Sequence, residues 1–283
     1  MRGFLSFLID YLFSRSCLVC GRGIGSSALG ALPAGVGASS RMAAFLDAGL
    51  RMPLFEGVSV SADVLCAGCW ARLDPAPSEG FLPQPAPGGG GVAVVSPYHT
   101  NDELLALVKF LKFSGGRAAA PSLGWWMAAA LGDFLGMTAG PDSTRPALVP
   151  VPLHSRREKE RGYNQAALLA REVAGRLGLD LDAGVLERTR STKAQSTLEQ
   201  ESRAANVRGA FRLARPDLVA ARHIVLVDDL VTTGETALAC AEALAEGSPL
   251  SVTVLAAGRT RKGCGGDAGA SLRHSSTSGV STR

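Results

Sequence analysis

Two adjacent carboxylates, Asp228 and Asp229, stand at the end of a short apolar run, Ile224-Val225-Leu226-Val227. Two residues further on comes a small-residue turn, Thr232-Thr233-Gly234, then a helical pattern from Glu235 to Leu244 that includes Thr236. The order strand, acid pair, Thr/Gly loop, helix suits a sugar phosphate. Paired carboxylates accept hydrogen bonds from neighbouring ribose hydroxyls. The loop offers backbone N–H groups and threonine hydroxyls to a phosphate at a helix N-terminus. A buried strand whose terminal acids cap a turn is the plainer account, but two adjacent acids beside Thr-Thr-Gly exceed what a cap needs.

Four cysteines form a second constellation. Cys17 and Cys20 make one C-x-x-C, in SCLVCGR, and Cys66 and Cys69 another, in LCAGCWARL. Four thiolates in two such pairs are a tetrahedral structural zinc set. The gap from Cys20 to Cys66 is wider than the roughly 15–20 residues of a compact ribbon. The Gly/Ala/Ser-rich stretch between them reads as an insertion looped out of a zinc ribbon, which closure entropy tolerates because it grows slowly with loop length. A disulfide or free thiols are the alternatives. Cys240, on the apolar face of the helix after the Thr-Thr-Gly turn, reads as a small core residue. Cys264, in the Gly-rich tail, receives no role.

The elements that must position these groups alternate along the chain. Residues 1–73 hold the cysteine pairs, 74–91 read as a Pro/Gly linker, 92–257 as an α/β domain, and 258–283 as a flexible tail. Val92 to Val95 reads as a strand closed by Pro97-Tyr98. A helix follows, N-capped by Asn101, with an apolar stripe of Leu104, Leu105, Val108 and Leu111, and with Lys109 and Lys112 off it. A second helix, beginning near Ser122, carries Trp125, Trp126, Leu131 and Phe134, where tryptophans at helical spacing read as core. Ala147 to Val151 is a short strand ending in VPVPLH. A helix runs from about Asn164, residues 186–212 are polar and basic, and Leu250 to Ala257 is a last strand. Short apolar strands alternating with helices predict a parallel sheet, whose ligands sit at the carboxyl ends of strands.

Composition bounds the rest. In 283 residues, a 46% apolar content is enough for a core, while 34 glycines and 15 prolines point to long irregular stretches. A net charge of +4 fits a phosphate-bearing ligand without indicating nucleic acid. No apolar run approaches the ~20 residues of a membrane span. The N-terminal MRGFLSFLIDYLF reads as an amphipathic helix with Phe4, Leu5, Leu8, Leu12 and Phe13 on one side, and a cytoplasmic location is expected.

The segment HIVLVDDLVTTGET resembles the phosphoribosyl-pyrophosphate (PRPP) loop of type I phosphoribosyltransferases. Taken with the double C-x-x-C, FLKFSGGR, VPVPLHSRREKERGYNQAALLA and RTRSTKAQSTLEQESRAANVRGAF leading into VLVDDLVTTG, most of residues 1–257 resembles the ComF/GntX family. The resemblance implies a type I phosphoribosyltransferase-like parallel sheet flanked by helices, behind an N-terminal zinc-ribbon module. It implies PRPP binding with Mg²⁺, with Asp228 and Asp229 as the catalytic pair and Thr232, Thr233, Gly234, Glu235 and Thr236 as the phosphate loop. VPVPLHSRR resembles the pyrophosphate loop, offering His154, Arg156 and Arg157. Arg188 to Phe211 resembles the mobile hood, with Arg188, Arg190, Lys193, Arg203 and Arg208 facing the leaving pyrophosphate.

Purine-salvage members of the superfamily carry an acid two positions before the loop glycine. Thr232 stands there in this chain, which argues against purine salvage and leaves orotate-like, amido-type or unknown acceptors open. Members of the family are associated with DNA uptake in competence, which implies a partner in that machinery. Direct DNA binding draws little support from the sparse Arg15, Arg22, Arg41, Arg51 and Arg72. The expected function is transfer of phosphoribosyl to an unknown acceptor. The alternative is a non-catalytic PRPP- or nucleotide-sensing module, or an interaction module for DNA uptake.

Overall fold

A computed structural model describes residues 16–24, 64–77, 80–82, 92–113, 116–138, 145–190 and 209–261. The expected amphipathic N-terminal helix, the insertion between the cysteine pairs, most of the hood and residues 262–283 of the expected tail lie outside the described residues, whereas residues 258 and 259 extend the last strand.

The elements, in chain order, are α1 (Ala67–Trp70), β1 (Asp74–Pro75), β2 (Gly80–Leu82), β3 (Val92–Val95), β4 (Tyr98–His99), α2 (Asp102–Lys112), α3 (Ala120–Thr138), β5 (Ala147–Pro150), α4 (Ser155–Arg161), α5 (Gln165–Leu177), β6 (Asp180–Leu181), β7 (Leu186–Arg188), β8 (Phe211–Leu213), β9 (His223–Val231), α6 (Glu235–Ala245) and β10 (Ser251–Arg259). Short 3₁₀ turns at Gly116–Ala119 and Pro216–Leu218 lead into α3 and β9.

The sheet is mainly parallel, as the alternation of strands and helices predicts. Its central path runs β4-β10-β9-β5-β6, and β10, β9, β5 and β6 pair parallel throughout. The strand at Val92 does not stop at Pro97. Proline lacks the N–H that a ladder needs, so pairing lapses at Ser96 and Pro97 and resumes as β4, still parallel to β10. The Pro/Gly stretch after Leu73 contributes two edge strands, β1 antiparallel to β4 and β2 antiparallel to β3. Their shortness and proline content kept them out of any periodic pattern.

Strand pleating divides the core in two. Val225, Val227 and Leu255 face α2, α3, α5 and the cysteine segment. Ile224, Leu226 and Val254 face α6, β2 and the β7–β8 hairpin. Helix α2 follows its sequence signals. Asn101 caps it, its Oδ1 accepting from the Leu104 N–H at 3.0 Å, and Asp102 and Glu103 sit in the first turn, where the helix dipole favours acids. Leu104, Leu107, Val108 and Leu111 are buried, each contributing roughly 1.5–3 kcal/mol. Leu105 points outward, with Leu107 in its place. Trp126 is core, edge-on to both Trp70 and Tyr98 at 5.0 and 5.4 Å.

Candidate functional site

Strand β9 carries the acid pair beyond the end of the apolar run, to Val231. Successive strand side chains point to opposite faces. Asp229 therefore shares the face of Val225 and Val227, towards α2, while Asp228 shares the face of Ile224 and Leu226, towards α6. The two carboxylates are neighbours in sequence but address different layers at the carboxyl edge of the sheet.

Asp229 is buried, at 5% exposure. Its Oδ1 meets Lys112 Nζ, in the last turn of α2, at 3.0 Å. Its Oδ2 is buried and, among the described residues, lacks a hydrogen-bond partner. An orphaned buried acceptor is costly, and a hydroxyl arriving from a ligand would satisfy it. Asp228 keeps an opening to solvent and accepts from the Asp229 N–H at 2.8 Å. Burial first, then the adjacent Asp229 carboxylate, pushes Asp228 up to about 7. Arg188 and Lys112 pull against that rise. The Cys240 thiol, fully buried in α6, is driven up by burial and then by Asp228.

The Thr-Thr-Gly turn sits directly after β9. Gly234 has φ 81°, and a Cβ there would lie 2.6 Å from Leu82 Cδ2, so both backbone and neighbour demand glycine. Thr260 fixes the turn from the next strand: its N–H donates to the Val231 carbonyl at 2.9 Å and its Oγ1 to the Thr232 carbonyl at 2.8 Å. Among the described residues, no side chain caps α6 at Gly234. The first-turn N–H groups around Glu235 and Thr236 thus face outward at the positive end of an 11-residue helix, beside the threonines.

The VPVPLH turn lies next to β9, because β5 pairs with it and the Val151 N–H donates to the Val227 carbonyl at 2.9 Å. His154 caps α4, its Nδ1 accepting from the Arg156 N–H at 3.2 Å. That bond uses Nδ1 as the acceptor and leaves Nε2 as the outer ring nitrogen. The basic run that resembles a loop is thus a helix from Ser155. On it Arg156 is largely exposed and pairs with Glu160 one turn on, at 2.9 Å. Arg157, half-buried, stands near Arg188. It and Arg188, from β7, repel each other near Asp228, and burial first, then Arg157, lowers Arg188. An anion between the two guanidiniums would relieve that repulsion. Arg188 also lies over the Phe211 ring at 5.4 Å. Lys193 and Arg208 lie outside the described residues.

Lys112 is the residue that reading the sequence missed. It sits in FLKFSGGR, off the apolar stripe of its helix, yet nothing in the pattern pointed it at Asp229.

The four cysteines come together despite their separation. Cys17, Cys20, Cys66 and Cys69 place their sulfurs all within 4.8 Å of one another, and Cys20 and Cys66 Sγ are 3.6 Å apart. Ligands at the ~2.3 Å zinc–sulfur distance of a tetrahedral site stand about 3.8 Å from each other, so the donor set fits zinc. The Leu18 N–H donates to the Val64 carbonyl at 2.9 Å and knits the halves together. Burial raises the Cys17 thiol, but backbone hydrogen bonds from Cys20, Cys66 and Val19 outweigh it and bring it down to about 6. Burial and the surrounding thiols push Cys69 up to about 12.

No protein-family model matches the chain. Over 113 residues, covering 40% of this chain and 49% of the relative, it is 41% identical to the DNA utilization protein YhgH of Salmonella typhi. Over 91 residues, covering 32% of this chain and 40% of the relative, it is 37% identical to Competence protein F of Haemophilus influenzae. The chain spans about half the length of the curated relatives it matches. These relatives support the resemblance to the ComF/GntX family. Among solved structures, the glutamine PRPP amidotransferase of B. subtilis is 19% identical, with a TM-score of 0.34, over 52% of this chain and 30% of that one. Among the described residues, no helix is long and apolar enough to cross a membrane.

Proposed function

We propose that this chain binds PRPP, or a related ribose phosphate, at the carboxyl edge of β9 and transfers phosphoribosyl to an acceptor. The observation that carries the proposal is the acid pair near the end of β9, followed by the Thr-Thr-Gly turn and a helix start that no side chain among the described residues caps. The 5′-phosphate lies against Thr232, Thr233, Gly234, Glu235 and Thr236. The ribose hydroxyls reach Asp228, which is open to solvent, and the unpartnered Oδ2 of Asp229. Arg157 and Arg188 neutralise the departing pyrophosphate beside Asp228. Two carboxylates with an open oxygen suit a hard divalent cation, and Mg²⁺ bound with PRPP would neutralise charge on the leaving group.

The four-cysteine module is proposed to hold a structural zinc ion. The relatives' names support a place in the handling or uptake of DNA, with a protein of that machinery as partner. One observation favours a non-catalytic, sensing role instead: Lys112 already occupies one oxygen of Asp229, as a latch that ligand binding would release. Calorimetric titration of the protein with Mg²⁺ and PRPP, wild type against an acid-pair variant, tests the binding on which both readings depend.

A further inference from the structure

Helix α2 is anchored at both ends to groups that carry chemistry. At its start, Arg72 donates from Nη2 to Cys69 Sγ at 3.2 Å and pairs through Nε with Glu103 in the first turn of α2. The Arg72 carbonyl accepts from Nδ2 of the capping residue Asn101 at 2.6 Å. Cys17, Cys69 and Leu73 lie in the same buried cluster as Leu104, Leu107, Val108 and Leu111 of α2. Gly258 of β10 lets Leu104 rest directly on the sheet, in space that a Cβ would fill. At the other end, Tyr163 Oη donates to the Leu111 carbonyl at 2.6 Å, and Lys112 reaches Asp229 at 3.0 Å. Between the anchors runs a rigid helix of about 16 Å.

We infer that α2 couples the four-cysteine cluster to the acid pair, so that a metal ion held by the thiolates governs the grip of Lys112 on Asp229. Gathering Cys69 into a tetrahedral site fixes Cys69 Sγ, hence Arg72, and through Glu103 and Asn101 the start of α2. A stiff helix carries that placement to Lys112. Release of the metal lets Arg72 and the first turn relax, and Lys112 loses its register on Asp229. Arg72 and Lys112 act as positioning residues. Coupling of this kind is reciprocal: whatever the acid pair binds alters the affinity of the thiolates for metal by the same factor. Only the arm that uses PRPP as the probe rests on the sugar-phosphate reading.

The test uses full-length protein with one equivalent of zinc, the same protein stripped by a chelator, and zinc-loaded Arg72→Ala. The ¹³C carboxyl resonance of Asp229 is followed without ligand. Zinc affinity is measured by competition with a chromophoric chelator, with and without Mg²⁺–PRPP. The inference requires the resonance to move on stripping, and to move the same way in Arg72→Ala with zinc still bound. Zinc affinity should change about tenfold in the presence of Mg²⁺–PRPP, and Arg72→Ala should abolish that change. If stripping unfolds the cysteine segment, the Arg72→Ala arm decides alone. A resonance unchanged by Arg72→Ala overturns the coupling. A resonance that moves in a protein that binds no PRPP upholds the coupling and removes the sugar-phosphate reading.

Discussion

Lys112 Nζ lies 3.0 Å from Asp229 Oδ1, joining the last turn of α2 to the carboxyl end of β9. The carboxylate is buried and, among the described residues, its second oxygen has no partner and Lys112 is its one ion-pair partner. The arrangement is poised to change when a hydroxyl-bearing ligand arrives. It also makes the pair a sensitive point in the unliganded fold.

Removing the lysine alone strands a buried carboxylate. Lys112→Met should cost about 3 kcal/mol, since breaking one half of a buried ion pair is far worse than replacing both. The double variant Lys112→Met/Asp229→Asn should recover most of that loss. Urea unfolding of the two single variants and the double checks it through a double-mutant cycle, and an additive result would show that the pair is not coupled.

The acid pair also sets a pH dependence. Burial and Asp229 raise Asp228 from an ordinary carboxylate value to about 7, so the folded state holds a proton there that the unfolded chain releases near pH 4. Stability from this group is fully present below about pH 4 and is lost as pH rises through about 7. The wild-type denaturant midpoint should therefore fall across that window relative to the midpoint of Asp228→Asn. Parallel slopes for the two proteins would show that Asp228 titrates normally.

Gly234 offers a test of the phosphate loop. Gly234→Ala must adopt φ 81° with its Cβ 2.6 Å from Leu82 Cδ2. About 2 kcal/mol of stability should be lost, with a matching fall in melting temperature by calorimetry. Leu82→Ala in the same chain should return only part of it, because relieving the contact leaves the backbone strain. Full recovery would mean that the φ is free to change.

His154 separates a structural role from a direct one. Its Nδ1 caps α4, so His154→Ala should cost about 1 kcal/mol and weaken ligand binding by misplacing Arg157. His154→Asn can cap equally well and should restore both stability and binding in thermal melts and titrations. Stability restored without binding would show that the ring itself touches the ligand.

Much of the architecture was legible because it is local. The strand at Ile224, the Asn101 cap, the helix start near Asn164 and the glycine after the threonines each announce an element within a few residues, and the structure places them accordingly. The fold class followed from the alternation of those elements. What escaped is long-range or too short for periodicity. The strands β1 and β2 hold two and three residues and form only because β4 and β3 offer edges to pair with. The VPVPLHSRR segment resembles a loop, and its basic run gives no apolar stripe to betray α4, which turns no buried face to the core. Lys112 on Asp229 joins positions far apart in sequence, and no spacing rule predicts which off-stripe lysine reaches a strand. The grouping of the cysteines was readable as the favoured alternative, since two C-x-x-C pairs supply the four thiolates of one site, and the structure brings all four together.

The most direct test of the sugar-phosphate site is calorimetric titration with PRPP and Mg²⁺, wild type against Asp228→Asn/Asp229→Asn. The two substitutions keep volume and remove charge, and circular dichroism confirms that both proteins are folded. The account predicts saturable binding by the wild type, weakened by at least a hundredfold in the double variant, since two charge-assisted contacts at roughly 1.5–3 kcal/mol each are lost. Equal affinity in both proteins, or no binding by folded wild type, would contradict it.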